Sequence, residues 1–244
     1  GHCITGLSIR ASGSDLGFFR FVEKDAVIRN LTVSGEIFPE GDMERIGGIA
    51  GTNRGRIENC IFKGSILAKR MGGGIAGLNE ESGSIIGCEN QGDLIVTKQA
   101  GGIAGKNDGS ISGCKNRGGI NMTGQAVSEF IDENPIVLMQ EGALAGDVNK
   151  VTDIGGIAGR NTGAVFDCIN YGAVGYRHTG YNIGGISGYE QGAVKNCRNL
   201  GNISGRKNIG GISGLFEPYI QTVYEQDAAE KLRLEGDSLV DMMD

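Results

Sequence analysis

The chain has 244 residues, 45 of them glycine and three proline, with six cysteines, no tryptophan and a net charge of −6. The charge is uneven: from Glu217 onward acids at Glu217, Glu225, Asp227, Glu230, Glu235, Asp237, Asp241 and Asp244 stand against Lys231 and Arg233, so residues 1–216 balance to zero and offer no overall basic field for nucleic acid or an anionic membrane surface. No apolar run reaches the ~18 residues of a membrane-spanning helix and no export signal opens the chain, which starts inside an apolar strand, Cys3 to Ile9, as a fragment of a longer protein would.

The first element is an atypical copy of the later units. Leu16-Gly-Phe-Phe-Arg-Phe is succeeded by Ile28, Leu31, Gly35 and Ile37, an aliphatic and glycine spacing that the rest of the chain repeats. A bulkier end unit is normal in a repeat array. From Gly47 a phrase takes over. It reads Gly-Gly-Ile-Ala-Gly from Gly47, Gly73, Gly101 and Gly155, and Gly-Gly-Ile-Ser-Gly from Gly184 and Gly210. Successive starts are therefore 26, 28, 54, 29 and 26 residues apart. Each of the first five phrases leads to an aliphatic residue (Ile57, Ile85, Ile111, Val165, Val194) and three residues later to a cysteine (Cys60, Cys88, Cys114, Cys168, Cys197). Four residues beyond each cysteine is glycine and two further on an aliphatic: Ile66, Leu94, Ile120, Val174, Ile203.

These apolar segments are too short for helices, and their valine, isoleucine and punctuating glycine predict strands. One unit cannot bury its own apolar side chains. Stacked in parallel, each strand pairs with its copies above and below, and like residues lie ~4.8 Å apart. The predicted fold is therefore all-β: a parallel β-helix of six or seven coils, right-handed by general precedent, with a C-terminal helix. Propeller blades are longer, leucine-rich repeats need L-x-x-L-x-L, and calcium-binding glycine repeats need an aspartate where this chain has Thr52, Leu78, Lys106, Arg160 and Tyr189.

Two asparagine columns come from the same spacing: Asn53, Asn79, Asn107 and Asn161 after the phrase, and Asn90, Asn116, Asn170 and Asn199 after the cysteine. Stacked amides can hydrogen-bond along such a column, and asparagine tolerates left-handed turns, so both ladders are expected at corners. The five repeated cysteines read as a structural ladder of reduced, buried thiols acting as small apolar fillers, too far apart for disulfides. No C-x-x-C occurs and one column cannot surround a metal, so neither a metal nor any other cofactor is expected. Cys3 lies outside the column and has no reading.

Two segments break the pattern within a β-helix taken as residues 1–216. An insertion at about 125–151 carries Phe130, Ile131 and Pro135 to Met139 among acids, and is either a binding loop or an apolar stretch folded onto the coils. Residues 217–244 form an acidic segment in which Ala228, Leu232, Leu239 and Met243 share a helical face, either a cap or the start of a coiled coil. Between them Tyr171, Tyr176, Tyr181 and Tyr189, with His178, form the candidate ligand-binding set. An exposed tyrosine strip would suit sugar rings or a protein partner; the alternative is that the rings pack on one another.

The run Gly-Gly-Ile-Ala-Gly-x-Asn-x-Gly-x-Ile-x-x-Cys-x-Asn-x-Gly resembles the GLUG repeat of bacterial surface proteins, over roughly residues 16–220. Gly175-Tyr-Arg-His-Thr-Gly-Tyr-Asn and the segment ending Leu215-Phe-Glu-Pro-Tyr look like large surface proteins of Gram-positive gut bacteria. The resemblance implies an extracellular, cell-surface, adhesin-like or stalk module, with a host glycan or protein as possible partner. Some proteins bearing this repeat are metallopeptidases, but with His2 and His178 the sole histidines no H-E-x-x-H exists and that chemistry does not carry over. The expected function is thus non-catalytic ligand presentation or support. Against it stand a polysaccharide-cleaving enzyme, for which Asp93, Asp108, Asp153 and Asp167 offer scattered acids without a matched base, and a purely structural spacer.

Overall fold

The computed structural model describes residues 1–41, 43–122 and 151–218. The expected insertion, apart from Val151, and the expected C-terminal helical segment, apart from Glu217 and Pro218, lie outside these residues. The described residues form strands and turns only: a parallel β-solenoid of about six turns with three sheets.

The first face has seven strands: Phe19–Val22, Ala50–Asn53, Ala76–Asn79, Ala104–Asn107, Ala158–Asn161, Ser187–Glu190 and Ser213–Phe216. The second has six: Val27–Arg29, Arg56–Glu58, Ser84–Ile86, Ser110–Ser112, Ala164–Phe166 and Ala193–Lys195. The third has twelve and divides into two strips. One carries the asparagine after each cysteine, as in Lys115–Asn116 and Ile169–Asn170. The other leads into each glycine phrase, as in Thr152–Gly155 and Tyr181–Gly184, and Ile61–Gly73 runs through both. Register is the sequence repeat itself. Asn79 pairs with Asn107, Ile85 with Ile111 and Gly155 with Gly184, each with its counterpart one turn away.

The interior is set by this register. Ile49, Ile75, Ile103, Ile157 and Ile186 form one column, and Ile57, Ile85, Ile111 and Val165 another, all fully buried. Each such side chain contributes roughly 1.5–3 kcal/mol by leaving water. The glycine phrase is explained by crowding. A Cβ on Gly73 would lie 1.9 Å from the Ala76 carbonyl oxygen and 2.7 Å from the Gly105 nitrogen, so a methyl group cannot enter.

The left-handed positions that recur from turn to turn lie elsewhere, in two columns. One precedes the cysteine slot: Asn30, Asn59, Gly87, Gly113, Asp167 and Asn196. The other stands two residues before the phrase: Arg45, Met71, Gln99, Asp153, Asn182 and Asn208. Neither contains a ladder asparagine, so the expected link between the ladders and left-handed turns does not hold. The ladder residues turn their amides inward, and other residues make the corners.

The atypical first unit stacks as the spacing predicts, with Leu31 to Ile37 alongside Ile61–Gly73 in parallel and Val33 opposite Phe62. Strand His2–Ile9 adds to its outer edge, pairing Cys3 with Thr32, one residue away from the cysteine slot occupied by Leu31. Cys3 is exposed there.

Candidate functional site

Three interior columns and one outer strip concentrate the polar chemistry. In the first amide ladder Asn53, Asn79 and Asn107 each donate Nδ2–H to the Oδ1 of the next asparagine at 2.7 Å. In the second, Asn90, Asn116 and Asn170 donate onward at 2.8 Å, ending on Asn199. Both ladders run in the same direction along the axis.

The first ladder ends on a different residue. Asn161 donates at 2.7 Å to Oε1 of Glu190, which also accepts the Gly192 N–H at 2.8 Å. Glu190 is 1% exposed, and its Oε2 has no hydrogen-bond partner; the nearby Ser187 hydroxyl donates instead to the Tyr189 carbonyl. Burial pushes the Glu190 carboxyl above the usual carboxylate range, against the lowering effect of the hydrogen bonds from Asn161 and Gly192. The residue opposite it in the next turn is Phe216, which has no group to offer.

The cysteines stand in file, free and unbridged. They do more than fill space. The Cys60 N–H points at the Cys88 sulfur at 3.4 Å, Cys88 N–H at Cys114 at 3.3 Å and Cys114 N–H at Cys168 at 3.4 Å. Each thiol donates to the carbonyl two residues back, as from Cys114 to Ser112 at 3.3 Å. The expected filling of space is thus joined by a second role: sulfur accepts a backbone N–H that the left-handed corner leaves without a carbonyl partner. Burial pushes the Cys114 thiol up, favouring its protonated form.

At the other end of the solenoid, Asp15 takes a two-point hydrogen bond from Arg45 at 2.6 and 2.8 Å and one from the Thr52 hydroxyl at 2.6 Å. Burial alone would raise this carboxyl; the Arg45 and Thr52 hydrogen bonds outweigh it and hold it below the usual range. Near residue 122, buried Asn121 pairs with the backbone of the coil beside it. Its Oδ1 accepts the Val96 N–H at 2.8 Å and its Nδ2 donates to the Val96 carbonyl at 2.7 Å, in place of a strand.

The tyrosines separate. Tyr171 projects from the third face, with the Arg117 guanidinium 4.5 Å from its ring centroid. Tyr176 and His178 are exposed in the turn before Tyr181, which opens Tyr181–Gly184 on the other strip of that face. Tyr189 lies on the first face under Arg160, 4.7 Å from its centroid, and its phenol donates to Glu217. That hydrogen bond, with burial and the Glu217 charge, raises the Tyr189 hydroxyl above its ordinary range. Among the described residues the one ring–ring pair is Phe18 with Phe19.

Of the four aspartates weighed as catalytic acids, three are engaged locally by their side chains. Asp93 accepts the Gly119 N–H at 2.8 Å, and Asp153 accepts from Asn182 at 2.8 Å. Asp108 takes Lys106 at 2.8 Å and also Thr162, while Asp167 sits in a left-handed corner. Among the described residues no group of three or more His, Cys, Asp or Glu side chains is placed to hold a metal. Two shallow corner hollows occur beside the first face. One of about 330 Å3 is lined by Lys24, Arg54, Arg56 and Ser82, and one of about 460 Å3 by Glu80, Glu81, Ser82 and Asp108. Their charges are largely internal, since Arg54 is bound by Glu80 at 2.8 and 2.9 Å and by Glu23 at 3.0 Å.

The outer strip beside the second amide ladder differs from these hollows. Asn116, Asn170 and Asn199 point inward, so the residues alternating with them face out. They form two parallel columns, Lys115–Ile169–Arg198 and Arg117–Tyr171–Leu200. No family model, no curated protein and no solved structure matches the chain.

Proposed function

We propose that this chain is a non-catalytic extracellular solenoid of a bacterial surface protein, which holds outward-facing side-chain columns in fixed register for a ligand. The observation that carries this reading is the division of labour between inside and outside. Interior positions are committed to ladders and apolar columns, while exposed Tyr171, Leu200 and Arg117 sit side by side on a flat strip. The resemblance to GLUG-repeat surface proteins supports the location outside the cell. The test is a glycan array together with capture from host mucus, using the 1–244 chain. Reproducible, saturable binding supports the reading. Silence in both, with the chain folded by circular dichroism, favours the spacer.

The spacer reading has its own observation. Two amide ladders running unbroken along the axis stiffen it as a rod. Stretching by force spectroscopy would then show coil-by-coil resistance without any ligand.

A further inference from the structure

The geometry points to the strip around Arg117 as a binding site for an acidic polysaccharide, with Arg117 as the oxyanion-recognising fork. This rests on the ligand-presenting reading and gives it a ligand class. Arg117 is held on two sides. Its Nε–H donates to Glu89 at 2.9 Å, and its guanidinium plane lies over the Tyr171 ring at 4.5 Å. Glu89 uses only the Nε–H, and the two terminal nitrogens have no hydrogen-bond partner among the described residues. The side chain is 47% exposed. A guanidinium fixed in plane, with its outer N–H groups free, suits two-point recognition of a carboxylate or sulfate and has already lost rotamer freedom that binding would otherwise cost.

The neighbours extend the same chemistry. Lys115 lies two residues before Arg117 on the same outward side of the strand, and Arg198 stands two coils further along the Lys115 column. Both are exposed, with no ion-pair partner among the described residues. Their separation is about 9.6 Å, twice the strand spacing. Ile169 lies between these two cations, with Tyr171 and 64% exposed Leu200 beside it. Alternating cationic and apolar positions at a fixed pitch suit a polymer whose acidic groups recur regularly and whose sugar rings offer C–H faces between them. An acidic protein segment offers the charge without that regular pitch. Residues 1–216 are neutral in sum, but the charges are sorted: Lys115, Arg117 and Arg198 gather on this strip beside Glu89, with Asp93 at its margin tied to the Gly119 N–H.

The test uses the folded 1–244 chain against polygalacturonate for carboxylates, heparin for sulfates, dextran for a neutral chain, polyglutamate for an acidic peptide and a DNA duplex. The expected result is binding to polygalacturonate, heparin or both, weakening as salt rises, and none to dextran. Arg117→Gln and Arg117→Lys should both weaken it about tenfold or more, since lysine keeps the charge but loses the fork. Lys115→Gln combined with Arg198→Gln should weaken it further, whereas Arg160→Gln on the first face should leave it unchanged. Preference for polyglutamate, or equal binding to DNA, would overturn the polysaccharide assignment. Anion binding indifferent to Arg117 would overturn the site. Dextran or mucus binding without any polyanion binding would sink this proposal and leave the ligand-presenting reading intact. Melting temperatures within a degree or two of wild type would show that the exposed substitutions have not unfolded the coils.

Discussion

Replacing Glu190 with glutamine should make the solenoid more stable at neutral and alkaline pH and change little in acid. The carboxyl is buried at the end of an amide ladder, one oxygen taking two hydrogen bonds and the other none. As an anion it leaves a charged oxygen without a partner; as an acid, or as glutamine, it leaves a neutral group. A buried unsatisfied polar atom costs about 1–3 kcal/mol, and more when charged. The Glu190 carboxyl is raised in the folded chain by burial, so the native state holds its proton more tightly than the unfolded state does. Between the unfolded value, about 4.3, and the higher folded value the native state binds more protons, and stability falls as pH rises. Above the folded value the loss is complete. Wild type and Glu190→Gln should therefore melt together near pH 4, and the variant should gain by about 1–3 kcal/mol by pH 8. For a chain of this size that corresponds to roughly 2–4 °C per kcal/mol. Calorimetric melting of both proteins from pH 4 to 9 measures the difference directly, because all other titrations cancel. Parallel profiles, or a variant less stable at pH 8, would refute the reasoning.

Three further outcomes concern the same interior. Cys114→Ala removes the acceptor for the Cys88 N–H in a fully buried position, and should cost about 1–3 kcal/mol beyond the loss of volume; a denaturant midpoint unchanged from wild type would show that the sulfur is only filler. Asn107→Ala breaks the first ladder on both sides, leaving Asn79 without its 2.7 Å acceptor and Asn161 without its donor, for about 2–4 kcal/mol in urea titration. Asp15→Asn removes a charge held below its ordinary range by Arg45 and Thr52, so its effect has the opposite pH sense to that of Glu190. The wild-type advantage should be full above the unfolded aspartate value, about 3.9, and vanish as pH falls through the folded one, as melting between pH 2 and 7 would show.

Much of the fold was legible because each column keeps its residue type. Glycine that cannot accept a Cβ, cysteine that must receive an N–H and asparagine that must pass on a hydrogen bond are each required once per turn, so period and register are written together. Leu31 in the cysteine slot marked the end unit for the same reason. The left-handed column before the phrase was legible at Asp153, Asn182 and Asn208 but not at Arg45, Met71 and Gln99, which have no preference for that backbone and have it imposed by stacked neighbours. The other such column carried a usable signal, since Asn30, Asn59, Gly87, Gly113, Asp167 and Asn196 all tolerate it. Glu190 was also visible, six residues after Gly184 where earlier units have asparagine, but its orphaned oxygen depends on Phe216 one turn on. The tyrosines show the opposite limit. Residues a few places apart wrap around different faces of one coil, whereas Arg117 and Tyr171, far apart in sequence, touch.

The hydrogen bond from the Asn107 amide to Asn161 joins residues 54 positions apart, yet its length matches that between Asn53 and Asn79. The coil that includes Asn107 and the coil that includes Asn161 thus stack in the same register as their neighbours, and beside them Asn121 holds both backbone groups of Val96. The order of the interior is therefore indifferent to how much sequence lies between one turn and the next: what is handed on is the identity of each column, and nothing of the distance travelled.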